Sequence, residues 1–351
     1  MRLSSIHFLY SFCLILFGLI IQPPVHAHQG EHVSESYLYQ KNWLKVPEGL
    51  DQIGKSHGEI AVSSAGDVYV SMMGKKGGIQ VYSDQGQYIG NVTGAPDDIH
   101  GFAIRKEGAQ DYIYGARLYG QTLFKMTLAG DIIFEIDAKS AIPKQFHNQP
   151  NPNKKWQDER KLKLTAVAVA DNGDMYVVDG YGRDFIHKFN ANGQYLDTFA
   201  GRQAPWKLKN CHKIAIDPRF TPNRILCADR ANMRLVHIGL DGNYIGEYAT
   251  NLRRPSAMSF YQNTVAVAEI GGRVTLLNKS GQVMQTIGTN QTAGQKESHH
   301  PKTPPEKWRD GVFTSPHGIT FDANGNLLIT EYSNYGRVLK FELNQNKLAK
   351  R

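Results

Sequence analysis

The chain is poor in cysteine, which limits how it can be cross-linked. Only three cysteines occur in 351 residues. Cys13 lies inside the N-terminal apolar run, without the small residues expected just before a lipidated cysteine, so Cys211 and Cys227 remain. An oxidising compartment would allow these two to form a disulfide. The estimated strand register leaves them some pairs out of alignment, so a disulfide and two free thiols both remain open.

Long hydrophobic stretches are also missing, with one exception at the N-terminus. Arg2 precedes an apolar run from Ile6 to Ile21, which is too short for a comfortable membrane span. The small-residue site Val25-His26-Ala27 then predicts that residues 1–27 are a secretory signal peptide. We therefore expect residues 28–351 to form a periplasmic or secreted protein with no transmembrane segment.

The familiar short motifs of several enzyme classes are absent. The sequence has no G-x-S-x-G elbow, P-loop, dinucleotide fingerprint or H-E-x-x-H pair. The formal net charge of +8 is modest and spread over loops, with no basic helix or strand stripe, so nucleic acid is not an expected partner. Basic residues are frequent in two insertions, Lys139–Lys163 and Gly288–Asp310. Such a surface either attracts anionic ligands, wall polymers or lipid headgroups, or is simply solvated.

What the sequence does contain is a repeat. Residues 165–201 hold four apolar stretches separated by Gly-, Asn- and Asp-rich turns, the pattern of a small antiparallel sheet. A period of roughly 40–50 residues with four strands is typical of propeller blades. Copies of the unit lie near residues 57–92, 100–136, 164–200, 212–248, 256–288 and 317–343. The last copy ends after its third strand, so we expect residues 37–46 to supply the missing outer strand and remove a free sheet edge. The sequence therefore predicts an all-β, six-bladed β-propeller in a single domain.

The repeat also predicts which side chains share one mouth of the central channel. The first strand of each blade lines the channel in a propeller, and histidine opens four of the six first strands. His100, His212 and His317 open alternate blades, so three imidazoles converge and could hold Zn²⁺ or another divalent metal. Strand carbonyls could accept from the second ring nitrogens. The alternative is that each histidine only hydrogen-bonds the neighbouring blade, an interpretation favoured for His57, which breaks the alternation.

Residues that follow the second strands should form a second ring at the same mouth. Tyr181 is a candidate general base, and Arg230 can hold a carboxylate through two parallel hydrogen bonds. A stacked channel residue and a blade-locking ion pair are the structural alternatives for these two. The remaining candidates for substrate binding are Arg117, Glu269 and Glu331 on this ring, and Trp206 and Trp308, which with Trp156 lie in loops that could form an aromatic rim.

At this point the residues resemble a known group. The stretches VVDGYGRDFIHKF, CADRANMRL and SPHGITFDANGNLLITEY are similar to blades of NHL-repeat six-bladed propellers, over nearly the whole predicted mature chain. In motif they most resemble the peptidyl-α-hydroxyglycine α-amidating lyases. That family uses a channel zinc on three histidines to cleave a carbinolamide at a peptide C-terminus, releasing glyoxylate.

The resemblance implies roles for particular positions. His100 in HGFAI, His212 in CHKIAI and His317 in PHGITF match the zinc ligands, Tyr181 in DGYG the catalytic tyrosine, and Arg230 in ADRAN an active-site arginine. Two departures stand out. A first-blade arginine would fall near Met73 and has no counterpart, although Arg117 or Lys75 could replace it, and the aspartate after the last zinc histidine is Gly318 here.

Two functions follow as hypotheses. The first is a metal-assisted lyase at the channel mouth, acting on a peptide-like or small carboxylate-bearing substrate. The second is a non-catalytic propeller that binds a ligand or an envelope protein over the same face. They differ in whether three imidazoles reach one point with an open coordination position.

Overall fold

In the computed structural model, which describes residues 36–74, 77–148, 162–294, 296 and 301–345, the chain forms six four-stranded antiparallel sheets. The inner strands of successive sheets contact one another in turn, and the sixth inner strand contacts the first, which closes the ring. The six-bladed β-propeller is therefore confirmed.

The strands of the first three blades, from the channel outward, have these bounds. They are β2 Ser56–Val62, β3 Val68–Met72, β4 Gly78–Tyr82 and β5 Tyr88–Asn91; β6 Ile99–Glu107, β7 Gln110–Arg117, β8 Thr122–Thr127 and β9 Ile132–Asp137; and β10 Ala166–Val169, β11 Met175–Val178, β12 Phe185–Phe189 and β13 Tyr195–Ala200.

The last three blades follow the same order. They are β14 Cys211–Asp217, β15 Arg224–Asp229, β16 Arg234–Gly239 and β17 Tyr244–Ala249; β18 Pro255–Tyr261, β19 Thr264–Glu269, β20 Arg273–Leu277 and β21 Val283–Ile287; and β22 Pro316–Phe321, β23 Leu327–Glu331 and β24 Val338–Leu343, completed by β1 Tyr37–Tyr39. The helices within the described ranges are short: α1 Ala138–Ala141 and the 3₁₀ turns Lys144–Phe146, Arg230–Asn232 and Pro305–Lys307.

The N-terminal strand closes the last blade, as predicted. Tyr37 lies opposite Leu343 in an antiparallel pair of β1 and β24. The Tyr37 ring is buried in the hydrophobic cluster between the fifth and sixth blades, and its hydroxyl donates to the Gly325 carbonyl at 3.2 Å. The pairing leaves no free edge on β24, which is the problem that a closed propeller must solve.

The core consists of six hydrophobic clusters, one between each pair of neighbouring blades. Strand β11 shows how one sequence serves two of them. Tyr176 and Val178 face the fourth blade, whereas Met175 and Val177 face the second, because successive side chains on a strand point to opposite faces. Strand β11 is therefore apolar at every position, whereas β13 on the outside of the same blade is not.

Cys211 and Cys227 form a disulfide with a Cα–Cα distance of 5.9 Å. Regular pairing would leave them misaligned, since Cys211 lies opposite Asp229 while Cys227 lies opposite Ile214. The register shifts between Cys211 and Ile214, and a bulge of this kind bends the strand locally. The disulfide that the sequence left open is thus present in the fourth blade.

Among the described residues, no helix is long and apolar enough to cross a membrane. The predicted signal peptide, residues 1–27, and Trp156 and Lys75 lie outside the described ranges.

Candidate functional site

Four histidines meet at one mouth of the channel, and we call His57, His100, His212 and His317 the histidine cluster. Each lies near the start of an inner strand, where the ladder with the second strand shifts register. Bulges re-aim side chains, which accounts for four side chains converging from four separate blades. The cluster follows from a repeated backbone irregularity.

Steric crowding at the neighbouring blade explains why a glycine, Gly101, follows His100. A Cβ at Gly101 would lie 2.3 Å from the Thr165 carbonyl oxygen and 2.7 Å from the Ala166 Cα. The inner strands of the second and third blades therefore approach more closely than any side chain allows. That approach places His100 against the carbonyl of the neighbouring blade.

Three cluster histidines contact a backbone carbonyl through Nδ1. The distances are 2.8 Å from His100 to Thr165, 2.7 Å from His212 to Ser256 and 3.0 Å from His317 to Gly58. A carbonyl only accepts, so Nδ1 carries the proton and Nε2 offers a lone pair. The strand carbonyls expected from the sequence are these acceptors.

The Nε2 atoms of His100, His212 and His317 have fewer hydrogen-bond donors around them than lone pairs to satisfy. The Tyr181 hydroxyl lies 3.1 Å from His100 Nε2 and 2.9 Å from His212 Nε2, yet a hydroxyl donates only once. His317 Nε2 is buried and has no hydrogen-bond partner among the described residues. Buried polar atoms without partners are uncommon, so at least two buried lone pairs at this point call for a Lewis acid or a donor from a ligand.

The electrostatics keep these imidazoles neutral. Burial lowers the pKa of His100 to about 3. Burial also lowers the pKa values of His57, His212 and His317 well below the ordinary value, with a smaller effect of neighbouring histidines and Arg230. Neutral imidazoles are the form that binds zinc, so protonation, tautomer and direction all fit a divalent metal of the zinc type.

Tyr181 is held over the cluster by a glycine-flanked loop. Asn210 Nδ2 donates to the Gly180 carbonyl at 2.6 Å, and a Cβ at Gly180 would lie 2.1 Å from the Cys211 carbonyl oxygen. Buried Asp179, just before it, accepts from the backbone N–H groups of Lys163 at 2.6 Å and Arg183 at 3.0 Å. The DGYG loop is therefore fixed against the fourth blade.

Arg230 completes this group. Its guanidinium lies 5.4 Å from the Tyr181 ring centre, and its Nε donates to Asn210 Oδ1 at 2.6 Å. Burial raises the pKa of Tyr181, and the Arg230 cation opposes that rise. Burial in turn lowers the pKa of Arg230, which the tyrosine opposes. The predicted pair is thus in contact beside the histidines, and the arginine cation partly offsets the rise that burial causes in the tyrosine pKa.

His57 lies with the other three histidines, although the sequence favoured a purely structural role for it. Its ring centre is 4.8 Å from that of His317 and 5.0 Å from that of His100. One ligand atom from each of His57, His100 and His317 falls within 4.8 Å of the others. The blade-alternation argument missed this contact because the channel is narrow enough for adjacent blades to meet. The shared HG opening was the available signal.

Two predicted substrate-binding carboxylates are instead fully buried inside their own blades. Glu269 accepts from Arg273 Nε at 2.9 Å and from the backbone N–H of Arg253. Glu331 accepts from Ser315 N at 3.2 Å and Arg337 Nη1 at 3.1 Å. These bonds tie the end of each second strand to the segment that leads into the first. The contacts describe a locking role, and substrate binding by either residue stays a prediction.

The other predicted substrate contacts are placed around the blades. Arg117 Nε donates to Asp98 at 2.7 Å. The Trp206 indole donates to the Gly242 carbonyl at 3.1 Å and packs on the cluster between the third and fourth blades. The Trp308 indole donates to the Thr303 carbonyl at 3.1 Å, and the Arg337 guanidinium lies 5.0 Å from its ring centre. Their described contacts are with blade and loop residues, so an aromatic rim stays a prediction.

Below the histidine cluster, an ion pair crosses the channel, and we call Glu59 and Lys213 the channel pair. Both residues are buried, and the Lys213 ammonium contacts Glu59 Oε2. Gly318 lies against the pair, since a Cβ there would be 2.7 Å from Glu59 Oε1. The Glu59 carboxylate, which comes from another blade, therefore occupies space that a side chain at position 318 would need.

A cavity of about 410 Å³ lies beyond the channel pair, and we call it the lower cavity. Its walls are later residues of the six inner strands, with Glu59 and Lys213 at one end, and they include none of the four cluster histidines. The channel pair thus stands between the histidine cluster and the lower cavity.

Comparisons with known proteins point in one direction. No protein-family model matches the chain. Peptidyl-alpha-hydroxyglycine alpha-amidating lyase 2 of Drosophila melanogaster is 30% identical over 175 residues, which are 48% of this chain and 39% of that protein. Lyase 1 of the same organism is 27% identical over 217 residues, 58% of this chain and 38% of that protein. The matched part is thus about two fifths of these relatives' length.

Among solved structures, a putative gluconolactonase has a TM-score of 0.58 and 12% identity, covering 90% of this chain and 94% of that one. At this identity the likeness concerns the fold alone.

Proposed function

We propose that this NHL-type propeller, distantly related to the amidating lyases, is an exported, metal-assisted lyase that cleaves a carbinolamide. The observation that carries the proposal is the set of three buried, neutral imidazoles whose Nδ1 protons are fixed by backbone carbonyls. Each Nε2 therefore carries a lone pair, in three rings whose centres lie 4.7–5.1 Å apart. His317 Nε2 is buried without a hydrogen-bond partner among the described residues; buried His187 Nε2 shares that property, but His317 lies beside three other imidazoles.

His100, His212 and His317 would hold the metal, which would supply Lewis-acid polarisation of a substrate oxygen. We assign to Tyr181 the proton of the carbinolamide hydroxyl, because its oxygen faces the cluster. Burial raises the pKa of Tyr181, the Arg230 cation opposes that rise, and a metal cation held by the histidines would favour its anion further. The carbon–nitrogen bond then breaks, the hydroxyl carbon becomes an aldehyde, and the proton returns to the amide nitrogen. Protons and electrons balance without an external reagent.

Arg230 is the group that we assign to the carboxylate of the substrate. It is buried next to Tyr181 and keeps its charge beside the site. Two parallel hydrogen bonds from a guanidinium fix a carboxylate in direction as well as position. For a peptidyl-α-hydroxyglycine the aldehyde product is glyoxylate.

The test measures metal and activity separately. Zinc content of the purified protein is determined beside that of His100→Ala, His212→Ala and His317→Ala. We expect near-stoichiometric metal in the wild type, and its loss in each variant while the fold, followed by circular dichroism, persists. His187→Ala is the matched control, because His187 is also buried but bonds Thr198 away from the channel.

Activity is followed as glyoxylate release from a peptide ending in α-hydroxyglycine, with Tyr181→Phe and Arg230→Gln as variants. We expect rates at least 100-fold lower for the tyrosine variant, the usual scale of acid–base catalysis. A protein that takes up no zinc after incubation with the ion refutes the metal site, and the ligand- or partner-binding propeller becomes the better account. Metal without glyoxylate release refutes the substrate.

A further inference from the structure

His57 differs from the other three cluster histidines in how its ring is held. His100, His212 and His317 each contact a carbonyl through Nδ1, whereas His57 has no such bond within the part of the chain that the structure describes. Its ring lies over Tyr332 instead, with ring centres 4.2 Å apart. It is also partly exposed, while the other three are buried.

The direction of the His57 ring is nevertheless that of a ligand. Its Nε2 lies 3.5 Å from the Tyr181 hydroxyl oxygen, which also contacts His100 and His212. Its distances to neighbouring ring centres, 4.8 and 5.0 Å, match those of 4.7 to 5.1 Å among the other three histidines. His57 therefore shares His100 and His317 as neighbours with His212, and its ligand atom lies within 4.8 Å of those of His100 and His317.

We propose that His57 is a fourth, displaceable imidazole ligand of the metal centre, an inference that rests on the metal site proposed above. Zinc is almost always four-coordinate in proteins, and catalytic sites differ from structural ones in keeping one position open. His57 fills that position from the solvent side in the resting protein. The other three cannot leave without losing a hydrogen bond to the neighbouring blade.

Displacement of His57 has a low structural cost. Rotation about its side-chain bonds breaks no hydrogen bond to a backbone carbonyl among the described residues. It gives up the long 3.5 Å contact with the Tyr181 hydroxyl and the ring contacts with Tyr332, His100 and His317, each aromatic pair being worth about 1 kcal/mol. A substrate oxygen that binds the metal more tightly than His57 thus opens the site itself. Tyr332 is a positioning residue here, because it holds the imidazole over the metal and does not touch it.

The experiment uses cobalt(II) as a spectroscopic probe and azide as a small anion that needs an open position. Metal-free protein is loaded with cobalt(II), and azide is titrated against the visible spectrum of wild type, His57→Ala and Tyr332→Leu. We expect azide to bind His57→Ala at least 10-fold more tightly than wild type, and Tyr332→Leu at an intermediate level. Free imidazole added to His57→Ala should restore the wild-type spectrum.

Zinc affinity, measured by competition with a chromophoric chelator, gives a second readout that does not depend on activity. We expect His57→Ala to bind zinc roughly 10- to 100-fold more weakly, the scale on which losses around metal sites fall. Equal zinc affinity and equal azide binding in wild type and His57→Ala would overturn the inference, while loss of zinc in His212→Ala would still uphold the proposed function. A protein that binds neither metal overturns both.

Discussion

Breaking the channel pair should be strongly destabilising, whereas replacing both partners should not be. Glu59→Gln leaves the buried Lys213 ammonium without a carboxylate, and Lys213→Met leaves the buried carboxylate without its cation. Removing one partner of a buried pair costs about 3–5 kcal/mol, but an apolar or neutral replacement of the whole pair is often close to neutral. In Lys213→Met the cost of the unpaired Glu59 carboxylate is limited, because Glu59 Oε1 also accepts from the N–H groups of Ile60 and Ile319, each at 3.3 Å.

The expected outcome is a melting temperature lowered by roughly 5–8 °C in Glu59→Gln. This follows from about 1.5 °C per kcal/mol, since the unfolding entropy is about 2.1 cal/mol/K per residue and the propeller has roughly 310 residues. Lys213→Met should fall at the smaller end, and the double variant should recover most of the loss. Calorimetry on chelator-treated protein measures all four members of this double-mutant cycle, so metal binding next to Lys213 does not contribute. If the two single losses simply add in the double variant, the pair is not coupled and the reasoning is refuted.

Two further predictions concern the blades around the site. Reduction of the Cys211–Cys227 disulfide, which spans 16 positions of sequence, should lower the free energy of unfolding by about 3 kcal/mol. The Cys211→Ser/Cys227→Ser protein should not respond to the reductant. If it loses as much stability as the wild type does, the disulfide is not the cause of the change. Burial raises the pKa of Asp179 from 3.8 to about 7, so the native state holds an extra proton between those values and stability should fall as pH rises from about 4 to about 7. Asp179→Asn should flatten that dependence in urea titrations at several pH values, and an unchanged slope would disprove it.

The blades could be predicted from the sequence because their period is repeated and local. Turn residues and alternating apolar positions mark each strand, and the missing outer strand pointed to residues 37–46; the paired part is Tyr37–Tyr39. Closure of the propeller could be predicted simply by counting the strands of each blade, because the last blade lacks one. The fold therefore followed from short-range chemistry.

The site was less predictable, because it depends on bulges and on side-chain direction at strand ends. His57 and Cys211 both lie where the ladder shifts register, and the one or two extra residues there decide which way a side chain points. Glu269 and Glu331 end their strands facing inward to the lead-in segment. A repeat alignment gives the blade and the level of such residues, but not their direction.

The channel pair also determines by which route a ligand can reach the histidine cluster. Glu59 and Lys213 separate the histidine cluster from the lower cavity. The central channel is therefore obstructed below the cluster and does not run open from one face of the propeller to the other. A large ligand therefore has to reach the imidazoles, and leave them, through the mouth that carries Tyr181. For the proposed peptide substrate, this means that the C-terminus would enter first and that the product would leave through the same mouth.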